Sequence, residues 1–345
     1  MPRMMRALVK TRSGPGLELI DKPIPEPGVG EVLVKVKYAS ICGTDLHIYT
    51  WDQWAQNRIK PPVTIGHELS GQVVKLGQGV ENVKEGDWVS AEGHLWCGQC
   101  YQCRTGKKHI CRHAQIIGVD RDGCFADYVV LPAQNLWKLH PDLDPSLASV
   151  FDPFGNAVHS TMCWNLGARS VLVAGCGPIG VLCVMLAKWF GASPVIATET
   201  NAYRRQLAEK LGADVVLNPL EVDVVEKVME LTSGTGVDLF LEMSGNESAI
   251  RSGIAAVTPG GGVSLLGIPG KEIQLNLSEI IFKQLTLLGI NGRRVFENWY
   301  AMERLVLAGF DLASVVTHRL SFSQWEQGME LMAQGVCGKV TLELD

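Results

Sequence analysis

The segment Val171-Leu172-Val173-Ala174-Gly175-Cys176-Gly177-Pro178-Ile179-Gly180 sets the tightest limit on how this chain can fold. A short apolar run of strand character enters G-x-G-x-x-G, and an apolar helical stretch follows over 178–190. Gly175 permits the tight turn, Gly177 lets backbone approach a pyrophosphate, and Gly180 allows close packing of helix on strand. The helix start at Pro178 offers free N–H groups and a positive dipole end to phosphate. Nineteen residues past Gly180 comes Glu199, an acid placed to bind the ribose hydroxyls and repel a 2′-phosphate, which favours NAD over NADP. Arg204 and Arg205 follow, available for adenine or phosphate, or simply a solvated helix face.

The rest of this region repeats the same grammar. Strands are expected over 171–174, 195–199, 215–217, 239–243, 263–266 and 286–290, with helices over 178–190, 202–211, 224–231 and 247–257. Such alternation predicts a parallel, doubly wound sheet covered on both faces. Its last strand, over 285–290, reads as an edge and a natural dimer seam.

Upstream of about residue 155 the pattern differs. Glu31-Val32-Leu33-Val34-Lys35-Val36-Lys37 alternates at period two, and turn signals recur at Pro27-Gly28, Gly66, Gly77, Gly79 and Gly86-Asp87. An irregular β-barrel-like domain is expected over 1–155, distinct from the nucleotide-binding domain over 156–292. From 293 to 345, helices near 299–307 and 323–333 precede a strand at 339–343 that returns to the first domain. A length of 345 residues suits two such domains.

Cys97, Cys100, Cys103 and Cys111 follow C-x2-C-x2-C-x7-C on one short loop. Four thiolates saturate a tetrahedral zinc ion and leave no position for substrate, so this site is structural. A second set is dispersed: Cys42 in Cys42-Gly43-Thr44-Asp45-Leu46-His47, and His67-Glu68 after Gly66. Thiolate, imidazole and carboxylate are all zinc ligands, but spacing alone leaves core residues an equal alternative.

Net charge is −5 with no basic stripe, which argues against nucleic-acid binding. The most apolar helical stretch, 181–190, is too short for a bilayer and contains Lys188, and the N-terminus has no secretory pattern. The ten cysteines are therefore expected as reduced thiols in a cytoplasmic protein.

Taken in order, Cys42-Gly43-Thr44-Asp45, Gly66-His67-Glu68, the four-cysteine loop and Gly175–Gly180 resemble the zinc-dependent medium-chain alcohol dehydrogenases along nearly the whole chain. Gly118-Val119-Asp120-Arg121-Asp122-Gly123, Asp152-Pro153-Phe154-Gly155-Asn156, Gly245-Asn246-Glu247 and Leu266-Gly267-Ile268-Pro269 most resemble the branch that oxidises L-threonine. The resemblance implies a GroES-like catalytic domain beside a Rossmann domain. It implies a catalytic zinc on Cys42 and His67, with Glu68 as third or exchangeable ligand, and a proton relay through Thr44 and His47.

Asp152 stands where many relatives have a cysteine, leaving open direct or water-mediated contact with the metal; otherwise an Asp before Pro caps a turn. Ile179, Arg204, Leu266, Gly267, Ile268, Ile290 and Asn291 would line NAD, and His94, Trp51 and Asn156 are candidates for the substrate's polar groups. L-threonine would yield 2-amino-3-oxobutanoate and NADH, in a homotetramer. A polyol or other secondary-alcohol dehydrogenase, and a non-catalytic zinc-stabilised NAD-binding regulator, stay open as alternatives.

Overall fold

The computed structural model describes residues 3–345. Residues up to Asp152 together with Arg294–Asp345 form one compact unit, and Pro153–Arg293 form the other.

In the first unit the strand Glu31–Ser40 lies at the centre of a sheet. Its inward residues Val32, Val34 and Val36 are fully buried. On one side it pairs antiparallel with Glu68–Leu76, with Ser40 opposite Glu68. On the other it pairs antiparallel with Lys339–Glu343, with Ser40 opposite Thr341. Lys339–Glu343 in turn runs parallel to Val316–Ser321. Trp88–Ala91 and Leu136–Lys138 extend the sheet beyond Glu68–Leu76, and Tyr128–Pro132 also pairs with the central strand. Three distant stretches thus converge at the end of one strand, a placement no local pattern encodes.

The second unit holds a wholly parallel sheet of strands β1 (Val171–Ala174), β2 (Val195–Thr198), β3 (Val215–Leu217), β4 (Val237–Glu242), β5 (Val257–Leu265) and β6 (Thr286–Gly289). Their spatial order, β3-β2-β1-β4-β5-β6, is the doubly wound Rossmann order. β1 and β2 are buried at every position, as a two-sided cover of helices requires. β6 is the sheet edge, as its pattern suggested.

One local expectation needs correction. β5 begins at Val257 instead of 263, although Thr258-Pro259-Gly260-Gly261 reads as a turn. Val257 pairs with Val237 before the register shifts, so the strand starts early across an irregularity. For Asp152 the lesser alternative, a turn, meets helical backbone instead. Asp152 lies in the first turn of the helix Phe151–Met162, where the missing N–H of Pro153 costs nothing.

The glycine turn after β1 shows why its spacing is strict. Gly175 has φ +85, and a Cβ on Gly180 would sit 1.8 Å from the Gly175 carbonyl oxygen. Gly177, the N-cap of helix α1 (Pro178–Trp189), faces open space instead. Gly180→Ala should therefore force the turn apart and destabilise the fold by roughly 1–3 kcal/mol. The expected result is a lower thermal midpoint together with weakened NADH binding in a fluorescence titration.

Candidate functional site

The pairing of Glu68 with Ser40 brings the two halves of the dispersed constellation together. Beyond Ser40 the chain passes Ile41 and Cys42, and Cys42 caps the helix Gly43–Thr50. The Sγ of Cys42, a ring nitrogen of His67 and a carboxylate oxygen of Glu68 lie within 4.8 Å of one another. His67 and Glu68 are buried. Gly66 gives the bend into this strand: its φ is +90, and a Cβ there would collide with the Phe125 ring at 2.3 Å.

The charge inside this pocket is unbalanced toward the negative. Asp45, fully buried, accepts a hydrogen bond from the Cys42 N–H at 2.9 Å while its other oxygen has no partner. Burial pushes the Asp45 and Glu68 carboxyls up from their usual range. Burial alone would lower His67, but the Cys42 thiolate, Asp45 and Asp152 outweigh it and hold the imidazole up at about 10. A divalent cation among thiolate, imidazole and carboxylate supplies the positive charge this set lacks, so the donors fit zinc. The His67 Nδ1, buried without a partner, leaves the ring unsatisfied by protein alone.

Asp152 stands outside the tight trio, yet its negative charge raises both His67 and Glu68. Lys339, which the sequence reading did not single out, completes the surroundings. Its buried Nζ donates to the Ile41 carbonyl at 2.8 Å and lies 2.8 and 2.6 Å from the two Glu68 oxygens. Thr44 Oγ1 is 3.8 Å from the Cys42 Sγ, and His47 is exposed one turn further along the same helix. His47 Nδ1 meets Asp52 Oδ2 at 2.5 Å. Of the other candidates, His94 is held through its N–H and Nδ1 by the buried Glu92, Trp51 is covered by the Lys10 ammonium, and the Asn156 Oδ1 is buried without a partner.

The four-cysteine loop forms a separate cluster. Cys100 Sγ is 3.5 Å from Cys103 Sγ and 3.7 Å from Cys111 Sγ, and Cys111 Sγ is 3.5 Å from Cys97 Sγ. Thiolates bound at about 2.3 Å around a tetrahedral zinc lie roughly 3.8 Å apart, and a disulfide would need about 2 Å. The spacing therefore fits a four-thiolate zinc. N–H groups from Cys103 and then Arg112 bring the Cys100 thiol down to about 6, and burial pushes Cys103 up to about 12. Trp96 and Phe296 pack against this lobe, ring centroids 5.9 Å apart.

In the second unit Glu199, just past β2, grips the glycine turn. Its Oε2 accepts from the Cys176 N–H at 2.8 Å, and its Oε1 from the Asn201 N–H at 2.9 Å. Arg205 is occupied, donating to the Glu199 and Thr200 carbonyls, whereas the Arg204 Nε is buried without a partner. Ile179, Leu266 and Gly267 are partly buried, Ile290 is buried, and Ile268 and Asn291 are exposed.

Two family profiles match the chain: an alcohol dehydrogenase GroES-like domain over residues 28–141 and a zinc-binding dehydrogenase domain over residues 178–308. A protein of Pyrococcus horikoshii named L-threonine 3-dehydrogenase is 50% identical over the whole of both chains. The chain belongs to the zinc-binding alcohol dehydrogenase family. Among solved structures, a zinc-binding dehydrogenase of Sinorhizobium meliloti bound to NADP superposes with TM-score 0.90 at 31% identity, over 99% of each chain. A 2R,3R-butanediol dehydrogenase of Bacillus subtilis gives TM-score 0.89 at 28% identity, over 99% of this chain and 100% of the other. This dehydrogenase is therefore an NAD- and zinc-dependent enzyme, and the regulator alternative is set aside.

Removing Lys339 should leave Glu68 buried beside Asp152 without its ion-pair partner. Lys339→Ala is expected to lower unfolding free energy by about 3–5 kcal/mol in urea titrations, while Lys339→Met with Glu68→Leu should regain much of that loss.

Proposed function

We propose that this enzyme oxidises the secondary hydroxyl of L-threonine to give 2-amino-3-oxobutanoate, with NAD as hydride acceptor. The observation that carries the reading is the convergence of Cys42, His67 and Glu68 in a chain 50% identical, end to end, to proteins named L-threonine 3-dehydrogenase. The family's polyol and diol enzymes are the runner-up, since butanediol dehydrogenase shares the fold at lower identity.

Cys42, His67 and Glu68 would hold the catalytic zinc, and Cys97, Cys100, Cys103 and Cys111 the structural one. Bound zinc supplies Lewis acidity that acidifies the substrate hydroxyl, and NAD supplies the hydride acceptor. Thr44 is assigned to receive the hydroxyl proton, being next to the Cys42 thiolate. His47, exposed and on the same helix, passes that proton to water. Asp152 is assigned to hold negative charge beside His67 and Glu68, either directly or through water. Lys339 holds Glu68 in an ion pair, and Glu68 is assigned as third or exchangeable ligand.

The glycine turn with Gly175, Gly177 and Gly180 binds the pyrophosphate, and Ile179 packs at the same helix start. Glu199 accepts from the adenosine ribose, Arg204 borders it, and Leu266, Gly267, Ile268, Ile290 and Asn291 border the nicotinamide half. His94, Trp51 and Asn156 are assigned to the substrate's ammonium and carboxylate. We assign the protein to the cytoplasm as a homotetramer. Among the described residues no helix is long and apolar enough to cross a membrane. The edge strand β6 and the exposed Leu277, Ile281 and Phe282 support assembly.

Zinc-replete protein should form NADH with L-threonine far faster than with sorbitol or 2,3-butanediol; the reverse ranking sinks the threonine assignment. Cys42→Ser should abolish turnover while circular dichroism and thermal midpoint stay near wild type, with one zinc per chain lost by elemental analysis. Glu199→Ser should raise kcat/KM with NADP relative to NAD, read from parallel saturation curves.

A further inference from the structure

Glu242 closes β4 and is fully buried, yet no step assigned so far uses it. Its Oε1 gathers three donors from the next turn: the Ser244 N–H at 2.8 Å, the Gly245 N–H at 2.9 Å and the Ser244 hydroxyl. Its main-chain oxygen accepts from the N–H groups of Leu266 and Gly267 at 3.0 and 3.2 Å, across the turn that follows β5. Its Oε2 is buried with no hydrogen-bond partner, and among the described residues no cation is paired with the carboxylate. Gly267 lies directly against it. A Cβ there would come within 2.5 Å of the Oε2 and 2.1 Å of the Gly245 nitrogen. A Cβ on Gly245 would likewise meet the Ile268 oxygen at 2.5 Å.

One buried carboxylate therefore ties together the turns after β4 and β5. In the strand order found here, β1–β3 make the first mononucleotide half and β4–β6 the second, with ligand bound outside the carboxyl ends of the strands. Glu199, with the Cys176 N–H, serves the turn of the first half. Glu242 is its counterpart in the second half, where the nicotinamide ribose and ring belong. The two acids differ in their surroundings. Glu199 has Arg204 and Arg205 on the adjoining helix, whereas among the described residues no cation pairs with the Glu242 carboxylate. The oxidised nicotinamide ring carries a positive charge and the reduced ring none, so a fixed negative charge beside the ring separates their affinities.

We propose that Glu242 is a cofactor-positioning residue, one that shapes the turns receiving the nicotinamide half of NAD and favours the oxidised cofactor. This rests on the placement of the dinucleotide on this sheet, which ADP-ribose, a ligand lacking nicotinamide, tests separately. If wild-type protein fails to bind ADP-ribose, that placement is wrong.

Dissociation constants for NAD, NADH and ADP-ribose are measured by calorimetry on zinc-replete, full-length protein. Glu242→Gln keeps an acceptor for the turn and removes the charge. It should weaken NAD about fivefold, an effect of the size expected for one partly screened charge, with NADH and ADP-ribose within about twofold of wild type. Glu242→Asp keeps the charge but shortens the reach, and should weaken NAD and NADH together while sparing ADP-ribose. A Gln variant that weakens all three ligands alike, or leaves the NAD to NADH ratio unchanged, overturns the proposal. Should the Gln variant not fold, the Asp variant decides: affinities for NAD and NADH that follow ADP-ribose equally overturn it.

Discussion

The pairing of Lys339–Glu343 with Glu31–Ser40 is the contact on which the metal pocket depends. It brings a buried ammonium onto a buried carboxylate next to Cys42 and His67. Neither charge is tolerable alone. Together, each offsets part of the cost of burying the other, in a pocket already crowded by Asp45 and Asp152. The pocket's surplus of negative charge is in turn what suits a divalent cation. Register, ion pair and metal affinity are thus links of one chain, and a one-residue slip of the return strand would break all three.

The two zinc clusters use the same element in opposite ways. Four thiolates with S–S separations near 3.5 Å enclose an ion completely and fasten a lobe whose own apolar content is small, chiefly Trp96 with Phe296. Cys42, His67 and Glu68 form an incomplete shell in which one ligand is already engaged by Lys339. A closed shell contributes stability, and an open one contributes chemistry.

Much of the fold could be read before any coordinates. β1, β3 and the return strand Lys339–Glu343 fall where apolar patterning puts them, and in the G-x-G-x-x-G turn Gly175 and Gly180 are each needed for a separate steric reason. The start of β5 was missed because Pro259 and the glycines after it carry turn chemistry, and cross-strand pairing at Val257 overrode that signal. Lys339, Asp45 and Glu242 were passed over for a different reason. A charged side chain reads as surface until its burial is known, and for Lys339 the partners Glu68 and Ile41 lie 271 and 298 residues away. Arg204 and Arg205 could not be told apart by composition; only the carbonyls already held by Arg205 distinguish them.

The position of Lys339 along the chain has a consequence for how the protein is made. Synthesis runs through Cys42, His67 and Glu68, then through the whole of the second unit, before the strand carrying Lys339 emerges. The nascent chain can complete a dinucleotide-binding sheet while the first unit still lacks its central partner strand. During that interval Glu68 lacks its ammonium partner. The ribosome therefore completes the cofactor-binding unit before the first unit, and the Lys339–Glu68 pair can close only after the last strand has emerged.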